Sequence, residues 1–372
     1  MYPLPPPLIP SLNPQFRPPP ALRAPVLVLD TLRIRALVRA CRLPDAVIRP
    51  LVRVPETIDG QPVDLRTRWF LTLLKLDRGR HEHDPPEKQR AVIELIDRVL
   101  GAKPLPMPIT PIEVPLAGRT LRARVYRGVA PSAGAAPAIL YLHGGGFVTG
   151  SPEGYERFCS RLASEGACVV VSLDYRLAPE HRYPAAVDDV VDAWGWLRAQ
   201  APALGLDPER LAVGGDSAGG NLAAVLSNRM SGGDAPKFQL LLYPGTDMPS
   251  VRESRRTFAE GYYLTSAHVE WFFATYLPDT TRWTEPDASP LRADPLGQVP
   301  AIIVTAGLDP LRDDGRDYAD KLRAAGVHVE ALEATGLPHG FINLDGVLPD
   351  ADRRVAEVCA RVRARWTTAE RR

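Results

Sequence analysis

The sequence is poor in cysteine, nearly balanced in charge and without a long apolar run. Its four cysteines in 372 residues, Cys41, Cys159, Cys168 and Cys359, show no metal-type spacing and no disulfide framework. Cys168 opens the apolar run Cys-Val-Val-Val-Ser-Leu and reads as a buried strand residue. A reducing, cytoplasmic setting is therefore expected. The formal net charge is +1, which gives nucleic acid no electrostatic footprint to bind. The absence of about 18 consecutive apolar residues excludes a membrane-spanning helix. The N-terminus lacks a charged n-region and prolines break any apolar stretch, so no secretory signal is expected. What remains, at 45% apolar and 24% charged, is an ordinary globular composition. The length suits one large α/β domain with additions, or two domains.

Proline is the excess, at 39 residues. Nine of them fall in residues 1–20, which read as an extended arm that can form neither helix nor inner strand. Residues 21–110 read as an N-terminal helical cap segment. Its first part carries Arg23, Arg33, Arg35, Arg39, Arg42, Arg49 and Arg53 against Asp30 and Asp45. Pro44 and Pro50 cut that pattern into short pieces, which favours helices packed on the body. Weak contact of this basic stretch with a membrane surface is the alternative. Helical spacing follows at 64–76, through Leu65, Trp69, Leu73 and Leu76, and a helix at 86–100 starts on Pro85 and Pro86.

From residue 111 to 372 apolar runs alternate with helical stretches. The runs are 121–125, 138–142, 168–173, 211–213, 238–243, 301–305 and 327–332; most are separated by helical stretches, at about 153–165, 185–199, 217–230 and 311–325, with a last one at 350–366. Continuous apolar strands alternating with helices predict an α/β fold, a mostly parallel sheet covered on both faces. In such sheets ligands meet the carboxyl ends of strands, so the residues after each strand carry the interest. An aromatic-rich insertion at about 247–287 reads as ordinary helix packing and as the rest of a cap over a pocket.

After the 211–213 run comes Gly215-Asp216-Ser217-Ala218-Gly219. Strand, sharp turn and helix are what a nucleophile elbow needs, and a Cβ at Gly215 or Gly219 would clash. A glycine-rich turn without chemistry fits this segment equally well, so its partners decide. After the 138–142 run comes His143-Gly144-Gly145-Gly146-Phe147. Its bare backbone N–H groups suit an oxyanion, together with the N–H of Ala218. A flexible turn is the alternative; a phosphate loop fits poorly, since neither G-x-G-x-x-G nor a Walker lysine is present. His143, at the strand end, reads as structural. After the 301–305 run, Asp309 lies in the turn. Asp313 and Asp314 fall in the next helix's first turn, where the macrodipole favours them without catalysis. Of seven histidines, His339 alone sits in a glycine-flanked loop after the following strand. The order Ser217, Asp309, His339 is that of an α/β-hydrolase triad.

Five segments together carry a resemblance: His143-Gly-Gly-Gly-Phe, Asp174-Tyr-Arg-Leu-Ala-Pro-Glu180, Gly215-Asp-Ser-Ala-Gly-Gly-Asn221, Asp309-Pro-Leu-Arg-Asp and His339-Gly-Phe. The chain resembles the hormone-sensitive-lipase-like branch of the α/β hydrolases, the bacterial family IV esterases, over about residues 111–366. The resemblance implies a carboxylesterase acting on small short- to medium-chain acyl esters, with no metal and no cofactor. It also implies Gly145 and Gly146 as oxyanion donors and Gly144, Gly215 and Gly219 as structural members of the motifs. The proline arm and the arginine-rich stretch depart from the family's shorter opening. A binding protein on the same fold is the competing class; gibberellin receptors resemble this family but lack the triad histidine, which is present here as His339. A homodimer is compatible with the sequence.

Overall fold

The computed structural model describes residues 25–76, 84–128, 135–295 and 297–369. The proline-rich residues 1–20, and His81 and His83, lie outside them. An eight-stranded sheet holds the molecule together: β1 (Ile109–Leu116), β2 (Arg119–Arg127), β3 (Ala136–Leu142), β4 (Val169–Asp174), β5 (Leu206–Asp216), β6 (Gln239–Leu242), β7 (Ala301–Leu308) and β8 (Val329–Pro338), in the spatial order β8-β7-β6-β5-β3-β4-β2-β1. β2 runs antiparallel to β1 and β4; all other pairs are parallel. The mostly parallel sheet expected from the apolar runs is present.

The sheet is buried on both faces, as parallel strands with helical crossovers require. Along β3, Leu140 and Leu142 face one apolar cluster and Ile139 and Tyr141 the other, following the two-residue strand period. One face is covered by α6 (Ala185–Gln200), α7 (Ala218–Arg229) and α10 (Arg312–Ala324), the other by α5 (Glu156–Glu165) and α11 (Pro349–Ala369). The order reverses between β3 and β5, because the chain steps from β3 to β4 on one side and returns to β5 on the other. That reversal opens a crevice beyond the strand ends.

The edge strand β1 has no counterpart among the apolar runs. Its segment Ile-Thr-Pro-Ile-Glu-Val-Pro-Leu carries Pro111 and Pro115, which cannot donate to a ladder; only an edge tolerates both. The N-terminal stretch also differs from the expected short pieces. α1 (Pro25–Cys41) runs unbroken up to Pro44, and only the four-residue α2 (Asp45–Ile48) fits between Pro44 and Pro50. α1 packs on α3 (Leu65–Leu76) and α4 (Pro86–Leu100) through Ile34, Val38 and Cys41. Arg66 ties the end of α1 to α3 by donating to the Cys41 and Leu43 carbonyls at 3.1 and 2.7 Å. No helix among the described residues is long and apolar enough to cross a membrane.

Candidate active site

Ser217 stands at the end of β5, where α7 begins. Its φ of 53° and ψ of −118° lie outside the comfortable range of an L-residue, the strain that a sharp strand-to-helix turn imposes. Two glycines make that turn feasible. A Cβ on Gly215 would run into the Gly219 carbonyl, and one on Gly219 into the carbonyls of Leu142 and His143. The Ser217 N–H donates to Leu242 O at 2.8 Å, pinning the elbow to β6.

The tertiary structure brings His339 and Asp309 to this serine. His339 Nε2 lies 2.9 Å from Ser217 Oγ, and its Nδ1 lies 2.7 Å from Asp309 Oδ2. Asp309 is fully buried after β7, and its Oδ1 accepts the Leu311 N–H at 2.8 Å. The Tyr243 ring packs against the imidazole at 4.6 Å between centroids. Asp313 points elsewhere, accepting the Ser254 N–H at 2.9 Å and pairing with Arg312 and Arg316. Asp314 is held by Arg252 and Arg255. Burial pushes its carboxyl up to about 6.

The glycine loop after β3 closes the other side. Gly145 and Gly146 take positive φ values of 114° and 61°, which glycine adopts without strain. Neither of their N–H groups meets a protein acceptor among the described residues, whereas the Gly145 carbonyl accepts from Val148 and Thr149. The N–H of Ala218 opens α7 and has no partner one turn back. His143 is fully buried, with Nδ1 2.8 Å from Gly144 O and its ring stacked on Tyr175 at 4.4 Å. Burial pushes its pKa down, so the ring is held neutral. It faces away from the serine–histidine pair's chemistry.

Several positioning residues carry no sequence signal of their own. Asp216 sits beneath the glycine loop and accepts from Gly144 N (2.8 Å), Tyr141 OH (2.9 Å) and Tyr155 OH (3.0 Å). Burial raises its carboxyl to about 6, against the pull of those two hydroxyls. From α4, Arg90 donates to Val148 O and Ala178 O and forks onto Glu180 at 2.8 and 2.7 Å, clamping the glycine loop to the Asp174–Glu180 motif. Gln61 spans the ends of β7 and β8, donating to Gly307 O at 2.9 Å and accepting from Gly336 N at 3.2 Å. It braces the two loops that carry Asp309 and His339. No group of histidine, cysteine and carboxylate side chains among the described residues is arranged to hold a metal ion.

A cavity of about 990 Å³ opens onto Ser217 and His339. The glycine loop forms its floor. Ile34, Leu37, Ile93 and Ile96 of α1 and α4 form one wall, and Val269, Phe272 and Phe273 of α9 (Ser266–Tyr276) another. Phe272 lies over Gly146 so closely that a Cβ there would enter the ring. Of the insertion's other rings, Tyr276 stacks on Phe147 at 4.0 Å and Phe258 is buried against Arg312; both serve packing.

A strand-ending serine elbow, a following histidine and aspartate, and a glycine loop across the switch point define an α/β hydrolase. The chain belongs to the family described as having the alpha/beta hydrolase fold, whose profile it matches over residues 139–343, and within it to the hormone-sensitive-lipase-like branch. It is 40% identical over 250 residues to the ethyl acetate hydrolase of Pseudomonas putida, covering 65% of this chain and 77% of that protein. It is 38% identical to the carboxylic ester hydrolase LipN of Mycobacterium tuberculosis, over 77% of this chain and 79% of the relative. The solved hyperthermophilic esterase of Pyrobaculum calidifontis superposes with a TM-score of 0.76 at 38% identity, over 82% of this chain and 98% of that one.

Proposed function

We propose that this chain is a serine carboxylesterase that cleaves short- to medium-chain acyl esters through an acyl-enzyme. The observation that carries the reading is the continuous hydrogen-bond line Asp309–His339–Ser217 facing the free N–H groups of Gly145 and Gly146 across one apolar cavity. In this mechanism Ser217 Oγ attacks the ester carbonyl carbon while its proton passes to His339 Nε2. Asp309 keeps the imidazole proton on Nδ1 and stabilises the imidazolium. The oxyanion is met by the N–H groups of Gly145, Gly146 and Ala218, each such donor lowering the barrier by about 3–4 kcal/mol. His339 then protonates the departing alkoxide and activates the water that cleaves the acyl-serine. The helices of 21–110 and the insertion near 247–287 act as the cap that shapes the acyl site.

The activities of the esterase and ester hydrolase relatives support this reading, as does the apolar wall of the cavity, which suits a hydrocarbon chain. A series of p-nitrophenyl esters of increasing acyl length tests it. Activity is expected to peak at short or medium chains and to fall for long ones; no turnover at any length would overturn the assignment.

A separate proposal concerns the outer face of α1. Leu32, Arg35, Ala36, Arg39 and Arg42 are exposed at helical spacing, with Leu43 just beyond the helix end. No acidic side chain partners Arg35, Arg39 or Arg42 among the described residues. This face suits weak contact with an anionic lipid surface. The full chain should sediment with phosphatidylglycerol vesicles and not with phosphatidylcholine vesicles at low salt, and Arg35→Glu/Arg39→Glu should abolish it. Equal behaviour with both vesicle types would dismiss the contact.

A further inference from the structure

A second acid shares the cavity with Ser217. Asp97 lies on α4, between the wall residues Ile96 and Leu100, is partly buried and lines the cavity. Its one side-chain hydrogen-bond partner among the described residues is Asn343, whose Nδ2 donates to Asp97 Oδ1 at 3.2 Å. Oδ2 has no hydrogen-bond partner among the described residues, and lies against Gly154, where a Cβ would sit 3.0 Å away. Asn343 belongs to the loop that carries His339, and Asp216, the neighbour of Ser217, lines the same cavity. The acid is therefore held at a fixed place relative to the reacting residues by the loop that carries one of them.

Four carboxyl and phenol groups stand around it as well as Asp216: Glu94 on its own helix, and Tyr155, Tyr243 and Tyr263 from the surrounding segments. Burial first, then the Asp216 carboxylate, raise the Asp97 carboxyl to about 8, while the Asn343 amide pulls it back. At neutral pH the side chain keeps its proton. Its carbonyl oxygen is the one Asn343 occupies, so the O–H is the group left to donate.

We propose that Asp97 is a polar subsite of the cavity that donates a hydrogen bond to an oxygen in the substrate chain, so that the enzyme selects esters whose chain carries an ether, hydroxyl or keto oxygen. A hydrocarbon chain at this point would leave the donor dry and unpaired; an oxygen pairs it. Sites built to hydrogen-bond a substrate group discriminate strongly against analogues that lack it. The proposal rests on the esterase reading of Ser217 and names the substrate class for that same site.

Matched ester pairs test it. Each pair compares an all-carbon ester with its isosteric ether analogue, the oxygen being moved along the acyl chain of p-nitrophenyl hexanoate in one arm and along the alcohol of butyl acetate in the other. The native chain is expected to prefer the ether analogue in one arm by about tenfold or more in kcat/KM. Asp97→Leu should bring that ratio down at least about tenfold, and Asp97→Asn, whose amide still donates, should keep most of it. If no position in either arm shows a ratio above one in the native chain, the subsite is overturned whether or not the variants fold. A ratio that survives Asp97→Leu overturns it too, as does a preference for amino over ether analogues, which would make the carboxyl an anion. Absence of turnover on every ester would instead refute the esterase reading beneath it.

Discussion

Ser217→Ala is expected to abolish ester turnover, by a factor on the order of 10⁵–10⁶ in kcat, and to abolish covalent labelling by an organophosphate. The loss is large because in the proposed mechanism the serine, its base and the orienting acid act as one unit, which does not work without the atom that bonds to the acyl group. Folding should survive. Among the described residues the Ser217 hydroxyl hydrogen-bonds only to His339, and the elbow is held by its backbone and by Gly215 and Gly219. Alanine at φ 53° is no more strained than serine there. Mass spectrometry of the inhibited native chain should place the phosphoryl group on Ser217. Labelling at another residue, or persistent labelling of the alanine variant, would move the nucleophile.

The second large effect separates two neighbouring aspartates. Asp309→Asn should lower kcat by about 10⁴, while Asp313→Asn should cost less than about tenfold. An asparagine at 309 can donate its amide to His339 Nδ1, which drives the ring proton onto Nε2. The imidazole then has no lone pair with which to accept the Ser217 proton. Asp313 touches neither ring nor serine, and its Arg312, Arg316 and Ser254 contacts tolerate a neutral amide. Steady-state kinetics on one p-nitrophenyl ester decide between them; the reverse ranking would transfer the acid's role to Asp313.

Much of the fold was legible because parallel strands buried on both faces must be apolar without interruption. Such runs announced seven of the eight strands. The exception, β1, is an edge strand with a neighbour on one side only, which tolerates its two prolines, so it has no need to look like the rest. Helix ends marked by proline were legible too: α4 runs over Pro86–Leu100 as its sequence suggests. α1 was harder to read, since arginines interrupt its apolar face and its outer side is set by what it leans on.

The candidate site divides along the same line. Ser217, Gly145, Gly146, His339 and Asp309 stand out because each must follow a strand and sit among glycines or in a turn, which are local requirements written in adjacent residues. Asp309 differs in sequence from Asp313 and Asp314 by lying in the turn rather than in the next helix's first turn, and it is the one placed 2.7 Å from His339. Gln61, Arg90, Asp97 and Asn343 were invisible for a different reason. Each acts on a loop far along the chain, and nothing beside a glutamine in the short hairpin of Thr57–Ile58 and Gln61–Pro62 says that it will bridge Gly307 and Gly336. Local sequence thus determined the sheet, the strained elbow and the order of the reacting groups, because backbone geometry and burial act over a few residues. Only the tertiary structure decided which helices wall the cavity and that an acid on one of them lines it, because those contacts join segments that the chain keeps apart.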